Sequence, residues 1–251
     1  MTPSGGITLA RSAGSSRADV ALAIPPVNVL SAASLDDLAR AIRAAAPARL
    51  IVLTGLPRAF SAGVDVAEHL PEPELIDRML AAMRGVLEAL IQSEAVTLAS
   101  VAGACLGGGA EIVSACDLVL VAEDARIGFP EIRLACFPPG AAALLPGRVG
   151  EARAAEWILT GRTVSGRVAA EAGFASRAVP LEKLGAETDA LASRVLSAAP
   201  AALTAAREAL RQSRRDALAT RLPSAEAAYR ALAGDRDLSR AVREFGTPRT
   251  G

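Results

Sequence analysis

The sequence predicts an α/β fold in which strands and helices alternate, followed by a helical C-terminal region. Three observations carry that expectation. Short apolar runs such as Leu50 to Thr54 lead through glycine-bearing turns into helical patterns. Of the 251 residues 51% are apolar but only 3% aromatic, and alanine is abundant, so the core must combine small-residue helices with Val/Ile/Leu strands. From Pro180 onward, strand patterns nearly vanish and amphipathic helical spacing takes over.

After a Gly/Ser-rich start, Asp19 to Ile24 alternates weakly as a strand that Pro25-Pro26 stops. Ser34 is expected to cap a helix running to about Ala46, because Leu35, Leu38, Ala39 and Ile42 recur at helical spacing. Leu50 to Thr54 reads as a buried strand closed by Gly55 and Pro57. Pro73 to Ser93 then reads as a long helix and Val96 to Val101 as a strand. Gly103 to Gly109 forms a glycine-rich turn into a helix from Gly108 to Cys116, and Asp117 to Val121 is the next buried strand. Strand, glycine turn and helix repeated in this way are closer to a right-handed spiral than to a flat doubly wound sheet, although periodicity by itself does not separate the two. Beyond Pro180, helices are expected over Leu184 to Leu196, Ala201 to Leu210 and Ser224 to Leu232, punctuated by Pro200 and Pro223. The expected division is a core over 1–190 and a helical region over 191–251, whose apolar faces pack on the core or on a neighbouring subunit.

At 251 residues the chain is long enough for a sizeable core. Lys plus Arg and Asp plus Glu both total 27, so no basic surface for nucleic acid or an anionic membrane is expected. Lys183 is the only lysine, which disfavours lysine chemistry. Cys105, Cys116 and Cys136 lack CxxC spacing, and His69 has no second histidine to complete a metal set, so buried reduced thiols and no metal are expected. His69 is read as a surface or rim residue, since no G-x-S-x-G nucleophile turn accompanies it. Trp157 and Phe129 are read as core or pocket wall. Met1 to Ser16 has no basic region followed by an apolar run, and no apolar stretch reaches the roughly 18 residues of a membrane span. Cytoplasm is the default expectation.

Three constellations carry chemistry. In Arg58-Ala-Phe-Ser-Ala-Gly-Val-Asp65, small residues and Gly63 let the backbone turn and present N–H groups, although a plain tight turn needs the same residues. In Gly103-Ala-Cys-Leu-Gly-Gly-Gly-Ala-Glu111, three consecutive glycines open a helix, whose N-terminus favours a negative centre. A dinucleotide fingerprint is not present there. The third is Phe129-Pro-Glu131-Ile-Arg-Leu, followed by Pro138-Pro-Gly140. Glu111 and Glu131 both lie among apolar residues, where a carboxyl either finds a partner or has its pKa raised toward neutrality. Arg126, Arg133 and Arg148 are the candidate partners.

In this order and spacing, the three stretches resemble the enoyl-CoA hydratase (crotonase) family. Pro26-Val-Asn28, Val52-Leu-Thr-Gly55, Ala115-Cys-Asp117 and Leu159-Thr-Gly161 extend the resemblance from about Val20 through Gly173. It implies a crotonase-like ββα spiral with a C-terminal helical region that packs trimers, often paired into hexamers. It makes the N–H groups of Val64 and Gly108 an oxyanion hole and Glu111 and Glu131 the catalytic pair, with Ala62, Asp65, Gly107, Gly109, Pro139 and Gly140 around the substrate. The implied substrate is an acyl-CoA thioester, with no cofactor beyond the coenzyme A it carries. Two glutamates favour hydration; an isomerase, a ring hydrolase and a noncatalytic binding protein are the alternatives. Pro138-Pro139 departs from the Pro-Gly of ordinary hydratases, because Pro139 has no N–H to offer a water. That segment, Gly63-Val-Asp-Val-Ala-Glu-His69 and Pro25-Pro-Val-Asn-Val-Leu30 are similar to cyclic dienoyl-CoA hydratases.

Overall fold

Each turn of the chain through the core lays down a long strand, one or two short ones and then a helix. The computed structural model describes residues 6–11, 15–45, 47–69 and 72–245. After β1 (Ile7–Ala10), the first turn comprises β2 (Arg17–Leu22), β3 (Val29–Leu30) and α1 (Ala32–Ala44). The second comprises β4 (Leu50–Thr54), β5 (Ala59–Ser61), β6 (Gly63–Val64) and α2 (Pro73–Gln92). The third is β7 (Val96–Val101), β8 (Ala104–Leu106) and α3 (Gly108–Ala115). The fourth is β9 (Leu118–Ala122), β10 (Arg126–Gly128), a 3-10 turn over Pro130–Leu134 and α4 (Pro139–Leu144). Then follow α5 (Pro146–Val149), α6 (Glu151–Thr160), β11 (Thr163–Ser165), α7 (Gly166–Glu171), β12 (Arg177–Val179), α8 (Leu184–Ser197), α9 (Pro200–Arg230) and α10 (Arg236–Phe245).

The first strands of the turns join one six-stranded sheet in the order β1-β2-β4-β7-β9-β12, parallel except for β1. The second strands build a smaller sheet, β11-β10-β8-β5, and β3 pairs with β6. This is the spiral arrangement the sequence suggests. All six residues of β7 are buried, Thr97 and Ser100 with hydrogen-bonded side chains, whereas β2 buries alternate residues.

Most boundaries shift from expectation by only one or two residues. Two differences have local causes. The cap of α1 is Ser31, whose side chain accepts the Ser34 N–H at 3.1 Å; Ser34 lies in the first turn and donates its hydroxyl back to the Ser31 carbonyl. Helix α1 ends at Ala44, and Ala46 lies outside the described residues. Pro223 does not break the C-terminal helices; α9 continues through it. A proline inside a helix costs ~3 kcal/mol, but the buried Leu222, Glu226 and Tyr229 hold both sides of it by packing.

The main core runs from Ile7 to Leu222 and includes Trp157, Phe129 and Phe174. A second, smaller cluster joins Ile76, Leu80, Cys136, Tyr229, Leu238 and Val242. All three cysteines are buried and free. Among the described residues, no helix is long and apolar enough to cross a membrane.

Candidate active site

Because successive turns stack their second strands, residues far apart in sequence arrive side by side. Ser61 of β5 pairs with Cys105 of β8, and Leu106 with Gly128 of β10. The chain leaves these strands at Ala62 to Val64, at Gly107 and at Phe129 to Glu131, so the three constellations converge at one end of the small sheet.

The consecutive glycines are needed because something approaches on every side. A Cβ on Gly107, whose φ is +52°, would lie 2.6 Å from Glu131 Oε1. One on Gly108 would lie 2.7 Å from Val64 Cγ1 and 3.6 Å from Val64 N; one on Gly109, 2.6 Å from Ser61 Cβ. Gly108 is the first residue of α3, so its N–H has no partner within the helix. On the facing strand, Gly63 N–H donates to Ser61 Oγ at 3.0 Å and Asp65 N–H to the Leu30 carbonyl at 2.9 Å. Val64 N lies between them, beside Gly108.

Asn28 holds this loop in place. Fully buried, it donates from Nδ2 to the carbonyls of Leu22, Ala59 and Phe60, and its own carbonyl accepts the Ser61 hydroxyl at 2.7 Å.

Glu111 sits in the first turn of α3, where side chains lean back toward the helix N-terminus. Its Oε1 accepts the Ala141 N–H at 3.0 Å, at the start of α4. Pro139 occupies the first position of α4, where an N–H would have no helical partner, and a Cβ on Gly140 would lie 2.8 Å from Glu111 Oε1 and displace that carboxyl. Burial pushes Glu111 up to about 7, against the pull of the Ala141 and Gly140 N–H groups. Burial, and then the charge of Glu111, pushes Glu131 up to about 8. Glu131 Oε2 is buried without a protein hydrogen-bond partner. Among the described residues no ion pair joins either glutamate to an arginine: Arg148 donates instead to the carbonyls of Ser114, Phe174 and Cys116, and Arg126 and Arg133 are exposed.

Both carboxyls face a cavity of about 1210 Å³ whose wall includes Ala62, Val64, Gly107, Pro139 and Gly140. Gly109 is buried against Ser61 and Asp65 is half-buried, both behind that wall. Helix α2 adds Met79, Met83 and Leu87. The C-terminal helices add Leu222, Glu226, Tyr229, Leu238 and Val242, which sequence reasoning missed. Spacing does place Leu222, Glu226 and Tyr229 on one helical face, but nothing local says what that face meets. The His69 side chain lies outside the described residues.

The enoyl-CoA hydratase/isomerase family model matches residues 13–245. The chain belongs to that family. This enoyl-CoA hydratase/isomerase family member is 38% identical over 148 residues to the cyclohexa-1,5-dienecarbonyl-CoA hydratase of Thauera aromatica, a match spanning 58% of the chain and 57% of the relative. It is 33% identical over 246 residues to the 2,3-dehydroadipyl-CoA hydratase of Escherichia coli (strain K12), covering 97% of the chain and 92% of the relative. Its fold matches human mitochondrial delta3-delta2-enoyl-CoA isomerase with a TM-score of 0.87 at 21% identity, over 96% of each chain. The family's spiral with C-terminal helices is therefore the fold class observed.

Proposed function

We propose that this family member hydrates a conjugated enoyl-CoA thioester. The observation that carries the reading is a pair of buried carboxyls, neither paired with an arginine, facing one cavity beside the N-terminus of α3. Adding water pushes negative charge onto the thioester oxygen as an enolate forms. The N–H groups of Gly108 and Val64 would receive that oxygen, with the helix end adding favourable partial charge. Glu111, the lower-titrating carboxyl, takes a proton from water as its oxygen bonds to the β-carbon. Glu131, held protonated, returns a proton to the α-carbon, so that H and OH are added across the double bond.

Gly108→Ala tests the oxyanion site, since the added methyl would crowd Val64 Cγ1 at 2.7 Å and Met83 Cε at 2.9 Å. Alanine keeps the N–H, so a fall in kcat of about 10²-fold is expected from its displacement, the cost of misplacing a reacting group by about 1 Å. Near-normal kcat in a variant with an unchanged circular dichroism spectrum would show that the close approach of Gly108 to Val64 does not set the oxyanion geometry.

We further propose a cyclic conjugated dienoyl-CoA as the substrate. The apolar wall of Met79, Met83 and Leu87 suits a flat six-membered ring, and Pro139 leaves the water to the glutamates. The Thauera aromatica relative is named for such a substrate. Higher kcat/KM for a cyclic dienoyl-CoA than for crotonyl-CoA is expected in side-by-side assays; equal or better turnover of crotonyl-CoA would remove the ring while leaving the hydration chemistry.

The reading includes assembly as a trimer or a dimer of trimers, supported by Leu159 and Leu210, which are 69% and 75% exposed. Light scattering that found a stable monomer at micromolar concentration would count against it.

A further inference from the structure

The two carboxyls reach the cavity from different cores. Glu111 rides on α3 inside the main core, whereas the segment after Glu131 is held in the second cluster, with the C-terminal helices. That segment is under backbone constraint: the 3-10 turn ends at Ala135 with φ 57° and ψ 30°, a left-handed conformation uncommon for a residue with a Cβ. Cys136 follows, and both its N–H (3.3 Å) and its thiol (3.4 Å) donate to the carbonyl oxygen of Glu131. The hydroxyl of Tyr229, from α9, faces the same thiol within the second cluster. The Tyr229 ring packs on Phe137 with centroids 5.7 Å apart. Tyr229 shares its helix face with Glu226, which Arg84 of α2 holds in an ion pair.

We propose that Tyr229 is a positioning residue for Glu131: acting through the Cys136 thiol and the Glu131 carbonyl, its hydroxyl sets the aim of the Glu131 carboxyl, so the active site is complete only when the C-terminal helices have closed. The proposal rests on the reading of Glu131 as a proton donor. The direction of the hydrogen bonds follows from burial, which raises both the Tyr229 hydroxyl and the Cys136 thiol and keeps both protonated at neutral pH. The tyrosine donates to sulfur, and the thiol donates to the carbonyl. The charged or titratable groups around Glu131 are Glu111 from α3, Cys136 and Tyr229. Arg133 from the same 3-10 turn, Arg84 and Glu226, already paired, and Glu244 line the same cavity. Nothing in this set replaces the tyrosine hydroxyl.

Tyr229→Phe removes the hydroxyl and keeps the ring contact with Phe137. The expected result is a fall in kcat of about 10–100-fold, because small misplacements of a reacting group are costly, with KM for the CoA thioester changed less than about threefold. With Glu131 free to turn toward solvent, the alkaline limb of the pH–rate profile should move to lower pH. Cys136→Ala should reproduce both effects, and the double variant should be no worse than the poorer single variant, as members of one linked unit behave. Cys136→Ser, which keeps a donor and an acceptor, should recover part of the activity. A Tyr229→Phe enzyme with normal kcat and an unmoved alkaline limb overturns the proposal, and so do losses that multiply in the double variant. If Tyr229→Phe does not fold, the comparison of Cys136→Ala with Cys136→Ser decides: equal activities and equal pH profiles overturn it. Failure here is distinct from failure of the hydratase reading, which would show as an active Glu131→Gln enzyme.

Discussion

Glu131→Gln is expected to lower turnover by about 10²–10⁴-fold while leaving binding of the CoA thioester measurable, since general acid–base groups usually contribute that much. Gln keeps the shape that fits beside Gly107 and removes the transferable proton. Glu111→Gln should do the same through loss of the base. A Glu131→Gln enzyme that retains more than about a tenth of normal activity would take Glu131 out of the mechanism. If only one of the two substitutions harms turnover, isomerisation becomes the better reading. The same groups determine the pH dependence. The pair titrates at about 7 and about 8, so the rate should fall below about 7 as the base is protonated and above about 8 as the acid is lost. Stability has its own sign. Both folded values lie above the roughly 4.3 of an unfolded glutamate, so their contribution is full below that value and is lost as pH rises through the folded values. Thermal melts at pH 9 should find Glu131→Gln more stable than the parent, and no such gap should appear at pH 4.

Asp117→Asn is expected to cost about 3–5 kcal/mol of folding stability, the usual consequence of leaving a buried cation unpaired. Asp117 precedes β9 and accepts from Thr97 N–H at 2.8 Å and Thr97 Oγ1 at 3.0 Å. It also receives Arg214 and Arg211, whose Nε lies 2.7 Å away. Arg211 is fully buried and donates to the carbonyls of Ile91, Ser93 and Ala95, tying α9 to the end of α2 and the start of β7. Asparagine preserves most of that geometry but drops the charge, leaving Arg148, Arg211 and Arg214 crowded together. Burial alone would raise the Asp117 pKa; the arginine bonds outweigh it and hold the carboxyl below its usual value. This stabilisation is therefore present above the ordinary carboxylate range and lost as pH falls through the depressed folded value. Urea unfolding at pH 7 measures the effect, which is large beside a total stability of about 5–15 kcal/mol. A loss under about 1 kcal/mol would mean that backbone carbonyls alone satisfy the arginines.

By itself the sequence determined the first strand of each turn, most of the helices and the three glycine- and glutamate-bearing stretches; the short second strands, including β8 inside the expected glycine-rich turn, carried no pattern of their own. Leu50 to Thr54 and Val96 to Val101 appear with the expected ends, because strands buried on both faces are mostly apolar, and the buried Thr97 and Ser100 find hydrogen-bond partners in Asp117 and Thr188. Consecutive glycines at 107 to 109 and apolar neighbours around Glu111 and Glu131 are local properties, legible without a fold. Only the tertiary structure decided what those residues meet. Stacking of β5, β8 and β10 brings Val64 beside Gly108 and Glu131 beside Gly107, and no spacing rule contains that register. It also took Glu111 to the N–H groups opening α4, left the candidate arginines on other partners, and carried α9 straight through Pro223. The outer wall from Leu222 to Val242 was the least legible part. An amphipathic face records that a helix must bury one side; which surface it covers depends on contacts between residues far apart in the chain, and those exist only once the spiral has formed.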